Sequence, residues 1–397
     1  MVILSLGRLA SAIGTGLTIF YAPIFFVNVA GISATSVGIG IGCGGFFGVI
    51  GRFLGGSLAD SERVGRRGGL LIASFFLALG AAFFAATDQF WQFLLGNIFT
   101  GIGIGFYWPA AESFISDVTD PKNLNEAFAL TRMADYLGLG LGVIAGGLII
   151  GFHSAYRILF ILDALSYLLL FAFILKGIKE TLPEKQDRKS GIISNWTGAF
   201  KDGKLVLFAV LNLLFTNNIL QMSSTLPLYF SNMVPSNGAS GFQPGIVSTI
   251  FSLYIVMLSL FVMPIARMMS AKRKTDVLIR ACLFWTVAQG VIAYLGTGAP
   301  VPVMVAILAV TLVAVANSLY GPAASSLVVE ISPKDSRATY LAINSLCWGI
   351  SGSIGPAVGL AVLDRGAGDA IIYWAVLAAI NVLAAFGLYT LEKMIHN

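Results

Sequence analysis

Apolar runs of about twenty residues follow one another along almost the whole chain, and short polar stretches separate them. Runs of this length cross a bilayer as helices, because each helix satisfies its own backbone hydrogen bonds there. Twelve such spans fit into the 397 residues, which leaves little chain for soluble domains. Spans one to twelve cover about 9–28, 36–57, 69–87, 91–115, 125–151, 154–175, 205–232, 244–268, 277–297, 301–329, 338–363 and 370–391.

Charged residues are few, and this limits the kinds of catalytic and metal site that the chain could form. Only 11% of the residues are charged, less than half the share in a typical soluble domain, and the mean hydropathy is +0.86. The two histidines, His153 and His396, lie outside the apolar runs, so a bis-histidine haem, an HExxH zinc site or a histidine-dependent triad has no residues to use. Cys43, Cys282 and Cys347 are too scattered for a metal site or a disulfide framework. We therefore predict no catalytic residues, no metal and no cofactor.

Lysine and arginine mark one side of the membrane. Eighteen of the 24 lie in alternate loops and the C-terminal tail, whereas the opposite loops hold Arg157 and Arg365. The positive-inside rule predicts that both termini are cytoplasmic. We predict a multi-pass protein of the plasma membrane, which in a prokaryote is the inner membrane. This topology accounts for the net charge of +5 without a nucleic-acid partner. Arg8 and Arg280 lie near cytoplasmic span ends, where we expect their side chains to reach the surface.

A single long polar stretch, 177–204, divides six spans from six. It predicts an N-terminal six-helix bundle over 1–176, a cytoplasmic linker and a C-terminal six-helix bundle over 205–397. The halves also resemble each other, since 107–113 reads YWPAAES and 320–326 reads YGPAASS. Parallel six-span repeats are typical of secondary transporters. We predict an all-α integral membrane protein with twelve transmembrane helices in two six-helix bundles related by pseudo-twofold symmetry.

The loop between spans two and three carries a motif. Residues 55–67 read GGSLADSERVGRR, which resembles the G-x-L-A-D-R-x-G-R-R signature of the major facilitator superfamily, with Ser61 and Glu62 inserted. The resemblance implies a loop that latches the two halves at the cytoplasmic side; a simple positive-inside turn is the alternative. The predicted gate residues are Gly56, Asp60, Glu62, Arg63, Gly65, Arg66 and Arg67.

Small residues recur every fourth position in spans five and eleven. The span-five pattern, GxxxGVxxGG from Gly138, is similar to an element of the twelve-helix drug/proton antiporter branch of the superfamily. Ordinary helix packing explains the same pattern. In span four, Asn97 stands where that branch carries an arginine tied to proton transfer, which weakens the antiporter interpretation. The predicted helix-packing residues are Gly138, Gly142, Gly146, Gly355, Pro356 and Gly359.

Ionisable residues inside the spans are candidates for ion coupling, because each costs about 2.5–3.5 kcal/mol at mid-bilayer on insertion scales. We predict a charge network of Glu112, Arg132 and Asp135, in which protonation of one carboxyl frees the arginine and shifts the bundles. A static ion pair that braces spans four and five is the alternative. Asp163 of span six, which has no evident partner in its own span, is a further coupling candidate.

The family resemblance implies a central cavity lined by spans one, four, seven and ten. Amides in these spans favour polar substrates or helix–helix hydrogen bonds, and the aromatic rings favour amphipathic, including cationic, solutes. The candidate cavity residues are Tyr21, Tyr107, Trp108, Asn217, Asn218, Gln221, Asn317 and Tyr320.

Together these features predict a secondary active transporter that works by alternating access and exports amphipathic small molecules of the multidrug type, coupled to protons. Its predicted partners are a small-molecule substrate, protons and the lipid bilayer, and it is predicted to act as a monomer. One alternative is an importer or exchanger of a sugar, amino acid or organic ion. Another is a membrane sensor or lipid-handling protein on the same scaffold.

Overall fold

The computed structural model describes residues 2–59, 61–119, 124–153, 155–181, 199–236, 239–269, 271–299, 301–333 and 337–396. Twelve helical segments in this part of the chain are long and apolar enough to cross a membrane. The predicted all-α, twelve-helix membrane fold is therefore confirmed. Its strand content in the described residues is one short hairpin, Pro235–Ser236 with Ala239–Ser240.

Two of the spans are broken helices. Span one consists of Val2–Thr18 and Ala22–Asn28, and Pro23 lies in the first turn of the second piece, where its missing N–H costs no hydrogen bond. Span seven consists of Gly203–Gln221 and Thr225–Asn232. Spans two to six are Ala34–Ala59, Gly65–Ala85, Phe90–Asp117, Leu124–His153 and Tyr156–Gly177. Spans eight to twelve are Pro244–Met269, Lys274–Gly296, Pro302–Ile331, Arg337–Leu363 and Ala367–His396.

The chain divides into two compact units. The first comprises Met1–Gln186, Gln243–Ser252 and Gly352–Ala361, and the second comprises Asp187–Phe242, Leu253–Ser351 and Val362–Asn397. In the first unit, span one packs on spans five and six, and span four packs on spans two and three. In the second, span nine packs on spans ten and twelve.

Span five approaches span one through its glycine stripe. A Cβ atom on Gly138 would lie 2.6 Å from the Leu9 carbonyl oxygen, and one on Gly142 would lie 2.8 Å from Gly16 Cα. Larger residues at these positions would therefore force the two helices apart. Gly355, Pro356 and Gly359 lie in the segment of span eleven that groups with the first unit.

Span seven begins with a charged cap. The Asp202 carboxylate accepts hydrogen bonds from the Lys204 backbone N–H at 2.9 Å and the Tyr340 hydroxyl at 2.7 Å. The second of these bonds connects the start of span seven to span eleven within the second unit.

Candidate functional site

An ion pair joins span one to span five inside the first unit. Arg8 Nε donates to Asp135 Oδ1 at 3.0 Å, and its Nη2 donates to Asp135 Oδ2. The Arg8 side chain is 2% exposed and that of Asp135 is 20% exposed. Two parallel hydrogen bonds between a guanidinium and a carboxylate are strong and fix the relative orientation of both groups.

The predicted position of Arg8 is wrong. Its side chain does not reach the surface, because span one packs against span five, where the part-buried Asp135 offers a counter-charge. A surface position would leave the Asp135 carboxylate without this partner in a low-dielectric environment, which is costly. Arg8 thus becomes the central cation of the candidate site.

Two aromatic rings of span four lie beside the same guanidinium. Arg8 Cζ is 5.7 Å from the centre of the Tyr107 ring and 5.4 Å from that of Trp108. The two rings meet edge to face, with their centres 5.6 Å apart. The guanidinium therefore binds a carboxylate and two ring faces at once, and these are the groups that recognise an organic cation.

The other members of the predicted charge network are more dispersed. Glu112 is exposed and interacts electrostatically with Arg8 and with Arg52 of span two. The side chain of Arg132 lies outside the described residues. Asp163 is 6% exposed and accepts a hydrogen bond from Thr18 rather than from the Arg8–Asp135 pair. The structure thus brings Asp135 together with Arg8, Tyr107 and Trp108, and it keeps Asp163 apart from them.

Tyr21, predicted to line the cavity, lies in the interface between spans one and five. Its side chain is 2% exposed, and its hydroxyl donates to the Val143 carbonyl oxygen at 2.8 Å. Val143 occupies the position where the antiporter pattern has proline. Tyr21 therefore binds one helix to another in this structure.

Asn218 belongs to a closed ring of three amides in the second unit. It donates to Asn381 at 2.7 Å, Asn381 donates to Gln289 at 2.7 Å, and Gln289 donates back to Asn218 at 2.8 Å. The three side chains are 1–5% exposed. The ring connects spans seven, nine and twelve, so Asn218 serves the helix–helix hydrogen bonding considered as the alternative.

The remaining polar cavity candidates form hydrogen bonds within the second unit. Gln221, 1% exposed, donates to Asn217 at 3.0 Å. Asn317 accepts from the Trp285 indole at 3.1 Å and donates to the Tyr254 hydroxyl at 2.8 Å. Tyr320 donates to Asn212 at 2.8 Å.

The loop after span two is tied to two other helix ends. Arg66 Nε donates to Asp117 of span four at 3.1 Å, and Arg66 Nη1 donates to the Ala59 carbonyl oxygen at 2.9 Å. The Glu180 carboxylate accepts from the backbone N–H groups of Arg66 and Arg67 at 2.9 and 3.1 Å, so it caps the N-terminus of span three. We call the side chains of Arg66, Asp117 and Glu180 the latch.

Gly65 makes the latch possible. Its φ of +68° suits glycine, and the space that a Cβ atom would fill is occupied by the Glu180 carboxylate. Glu62 and Arg63 are exposed, Gly56 lies beside Pro109, and Asp60 lies outside the described residues. In the described part of the chain, no group of three or more His, Cys, Asp or Glu could hold a metal ion.

Sequence reasoning missed Arg8, although span one contains a signal for it. Arg8, Ser11, Thr15 and Thr18 recur every three to four residues, which places all four on one helix face. A polar stripe in a transmembrane helix predicts partners on the neighbouring helices. Glu180 and Asp117 gave no comparable signal, because loop carboxylates are common.

Residues 4–235 and 230–394 match the family model of the Major Facilitator Superfamily. The chain belongs to this superfamily. The chain is 23% identical over 345 residues to the uncharacterized MFS-type transporter YhjO of Bacillus subtilis, a match covering 85% of this chain and 80% of YhjO. It is 27% identical over 242 residues to a Na(+), Li(+), K(+)/H(+) antiporter of Planococcus maritimus, covering 55% of this chain and 53% of that protein.

Solved structures share the fold. The chain superposes on the crystal structure of the nucleoside transporter NupG with a TM-score of 0.82 and 16% identity, covering 99% of this chain and 98% of that one. It superposes on a D-xylose-proton symporter with a TM-score of 0.77 and 17% identity, covering 98% and 96%. The protein is thus a multi-pass membrane transporter of the superfamily.

Proposed function

We propose that this protein is a secondary active transporter that works by alternating access. It exports amphipathic organic cations in exchange for protons. It acts as a monomer in the plasma membrane, with both termini cytoplasmic. The observation that carries the proposal is the position of the Arg8 guanidinium, between the Asp135 carboxylate and the Tyr107 and Trp108 rings. In this arrangement the Arg8 guanidinium occupies the position that we propose for the cationic group of the substrate.

Competition for Asp135 supplies the coupling. Ionised Asp135 attracts a cation, whether Arg8 or the substrate, whereas protonated Asp135 has no charge to offer. A proton therefore expels the substrate, and loss of the proton allows the next substrate to bind. Glu112, which interacts electrostatically with Arg8, receives the guanidinium when the substrate displaces it. Such mutual exclusion of proton and cation is the requirement for antiport.

Proteoliposomes test the proposal directly. With an acidic lumen, we expect uptake of the organic cation tetraphenylphosphonium, because protons leave as the cation enters. Nigericin with potassium on both sides collapses the pH gradient without creating a membrane potential and should abolish the gradient-driven uptake. Protein-free liposomes should show only passive entry that does not depend on the pH gradient. Gradient-independent exchange of a sugar, an amino acid or an organic acid would instead support the polar-metabolite alternative and overturn the proposal.

Alkali-cation exchange is a second candidate, favoured by the similarity to the Planococcus maritimus antiporter. The same proteoliposomes distinguish alkali-cation exchange from the export of organic cations. Sodium or lithium movement that follows the pH gradient, without any movement of tetraphenylphosphonium, would support this second candidate.

Replacing Trp108 with alanine should weaken binding of the organic cation. A cation–π contact contributes about 0.5–2 kcal/mol, so we expect Kd to rise by about two- to thirtyfold. Trp108→Phe keeps a ring face and should retain most of the affinity. Trp91→Ala is the matched control, since Trp91 lies on the same span but is 53% exposed. Equal affinities of the Trp108→Ala and Trp91→Ala variants, measured by equilibrium dialysis, would contradict the assignment.

A further inference from the structure

A buried carboxyl of span six contacts span one at Thr18, ten residues further along the helix than Arg8. Asp163 is 6% exposed in the middle of span six, and its Oδ2 lies 3.1 Å from Thr18 Oγ1. Its Oδ1 is buried and has no hydrogen-bond partner, since the nearby Ser166 hydroxyl donates to the Asp163 backbone carbonyl oxygen at 2.7 Å. Among the residues that the structure describes, no salt bridge involves Asp163.

The surroundings of Asp163 are tightly packed and uncharged. A Cβ atom added to Gly14 of span one would lie 2.7 Å from Oδ1, so the span-one backbone covers the carboxyl closely. Spans one and three, which pack on span six, bring no charged side chain to it within the described residues. Tyr167 is the titratable side chain that faces it, and the Tyr167 hydroxyl is 2.8 Å from Thr15 Oγ1.

The hydrogen bonds at Asp163 suit a neutral acid better than a carboxylate. Thr18 Oγ1 donates to Asp163 Oδ2 at 3.1 Å and also lies 3.2 Å from the Thr15 carbonyl oxygen, so one hydroxyl proton is shared between two acceptors. A carboxylate at this position would therefore have one shared hydrogen bond for its two charged oxygens. A missing hydrogen bond costs less for the carbonyl oxygen of a neutral acid than for a carboxylate.

We infer that Asp163 binds a proton in this conformation and is a second coupling site, separate from the Arg8–Asp135 pair. A carboxylate buried without a counter-charge is costly, whereas a proton neutralises it and needs no extra space. An alkali cation would need several oxygen ligands and room beside Gly14, where the packing leaves none.

The position of Thr18 explains how the proton is released. Thr18 is the last residue of the long helix of span one, directly before the break. Bending at the break separates Thr18 from Asp163 and opens the acid to water. Arg8 and Thr18 lie ten residues apart on this helix, or about 15 Å. One helix therefore contacts both sites, and its movement affects both.

Infrared difference spectroscopy of the full-length protein in lipid membranes tests for the proton itself. At neutral pH we expect a carbonyl stretching band of a protonated carboxylic acid. Asp163→Asn, in which a neutral amide replaces the neutral acid at the same size, should fold and lose this band. Asp88→Asn is the matched control, because Asp88 is exposed and paired with Arg157, and it should keep the band.

Three results would overturn the inference: no such band in the unmodified protein, a band that persists in Asp163→Asn, or a band removed by sodium or lithium at constant pH. The functional role of the site rests on the proton-coupled transport proposed above, but the band does not. If proton exchange occurs, Asp163→Asn should reduce the number of protons exchanged per substrate by one. An unchanged number would remove Asp163 from the coupling, even where the band shows that it is protonated.

Discussion

Replacing Asp135 with asparagine should abolish proton-driven transport and leave substrate binding measurable. The asparagine amide cannot bind and release a proton, so the pH gradient can no longer drive transport through this residue. Tyr107 and Trp108 still offer ring faces to a cation. Gradient-driven uptake in proteoliposomes measures the first effect, and equilibrium binding of tetraphenylphosphonium measures the second. Unchanged driven uptake would remove Asp135 from the mechanism.

The double variant Arg8→Gln/Asp135→Asn separates coupling from stability. The single variant leaves the buried Arg8 without this counter-charge. Breaking a fully buried pair costs about 3–5 kcal/mol, and we expect a smaller loss here because Asp135 is 20% exposed and Glu112 still interacts with Arg8. Removing both charges should recover most of this loss, as measured by thermal unfolding in detergent, and should not recover driven transport. If the double variant transports normally, the pair only braces spans one and five.

Removing the Arg66 side chain should slow transport about tenfold or more. Arg66 connects the ends of spans two and four at the start of span three, through Ala59 and Asp117. Hydrogen bonds to charged groups contribute about 1.5–3 kcal/mol each, and every 1.4 kcal/mol changes a population tenfold. Arg66→Ala should therefore depopulate the conformation in which the latch forms. Initial uptake rates at saturating substrate measure the effect.

Arg63→Ala is the matched control for the latch, because Arg63 lies in the same loop with an exposed side chain. It should change the rate little. Arg66→Lys keeps the charge but loses the planar fork that reaches two acceptors, so we expect an intermediate rate. Equal rates for Arg66→Ala and Arg63→Ala would mean that the loop is a turn without a gating role.

The fold could be predicted because its signal is local. Each apolar run is long enough to define its own helix, and the bilayer excludes other backbone conformations. Asp135 and Asp163 are candidates on the same kind of local signal, since a carboxyl within an apolar run is unusual whatever its partners are.

The ion-pair and hydrogen-bond partners of these side chains could not be predicted, because they come from distant parts of the chain. Asp135 is 127 residues from Arg8, and the nearby Arg132 was the more obvious partner on helical spacing. Asn218 looked like a cavity residue beside Asn217 and Gln221. Its partners lie 71 and 163 residues further along the chain, and only tertiary packing selects them.

The amide ring of Asn218, Gln289 and Asn381 has a mechanical consequence. Each side chain donates once and accepts once around a closed cycle, so a shift of any one helix along its axis breaks two hydrogen bonds in an apolar interior. Spans seven, nine and twelve are thereby resistant to sliding past one another. Span five meets span one through glycines, but the Arg8–Asp135 ion pair and the Tyr21–Val143 hydrogen bond connect the two helices. Sliding is therefore opposed by a ring of neutral amides in the second unit and by an ion pair in the first.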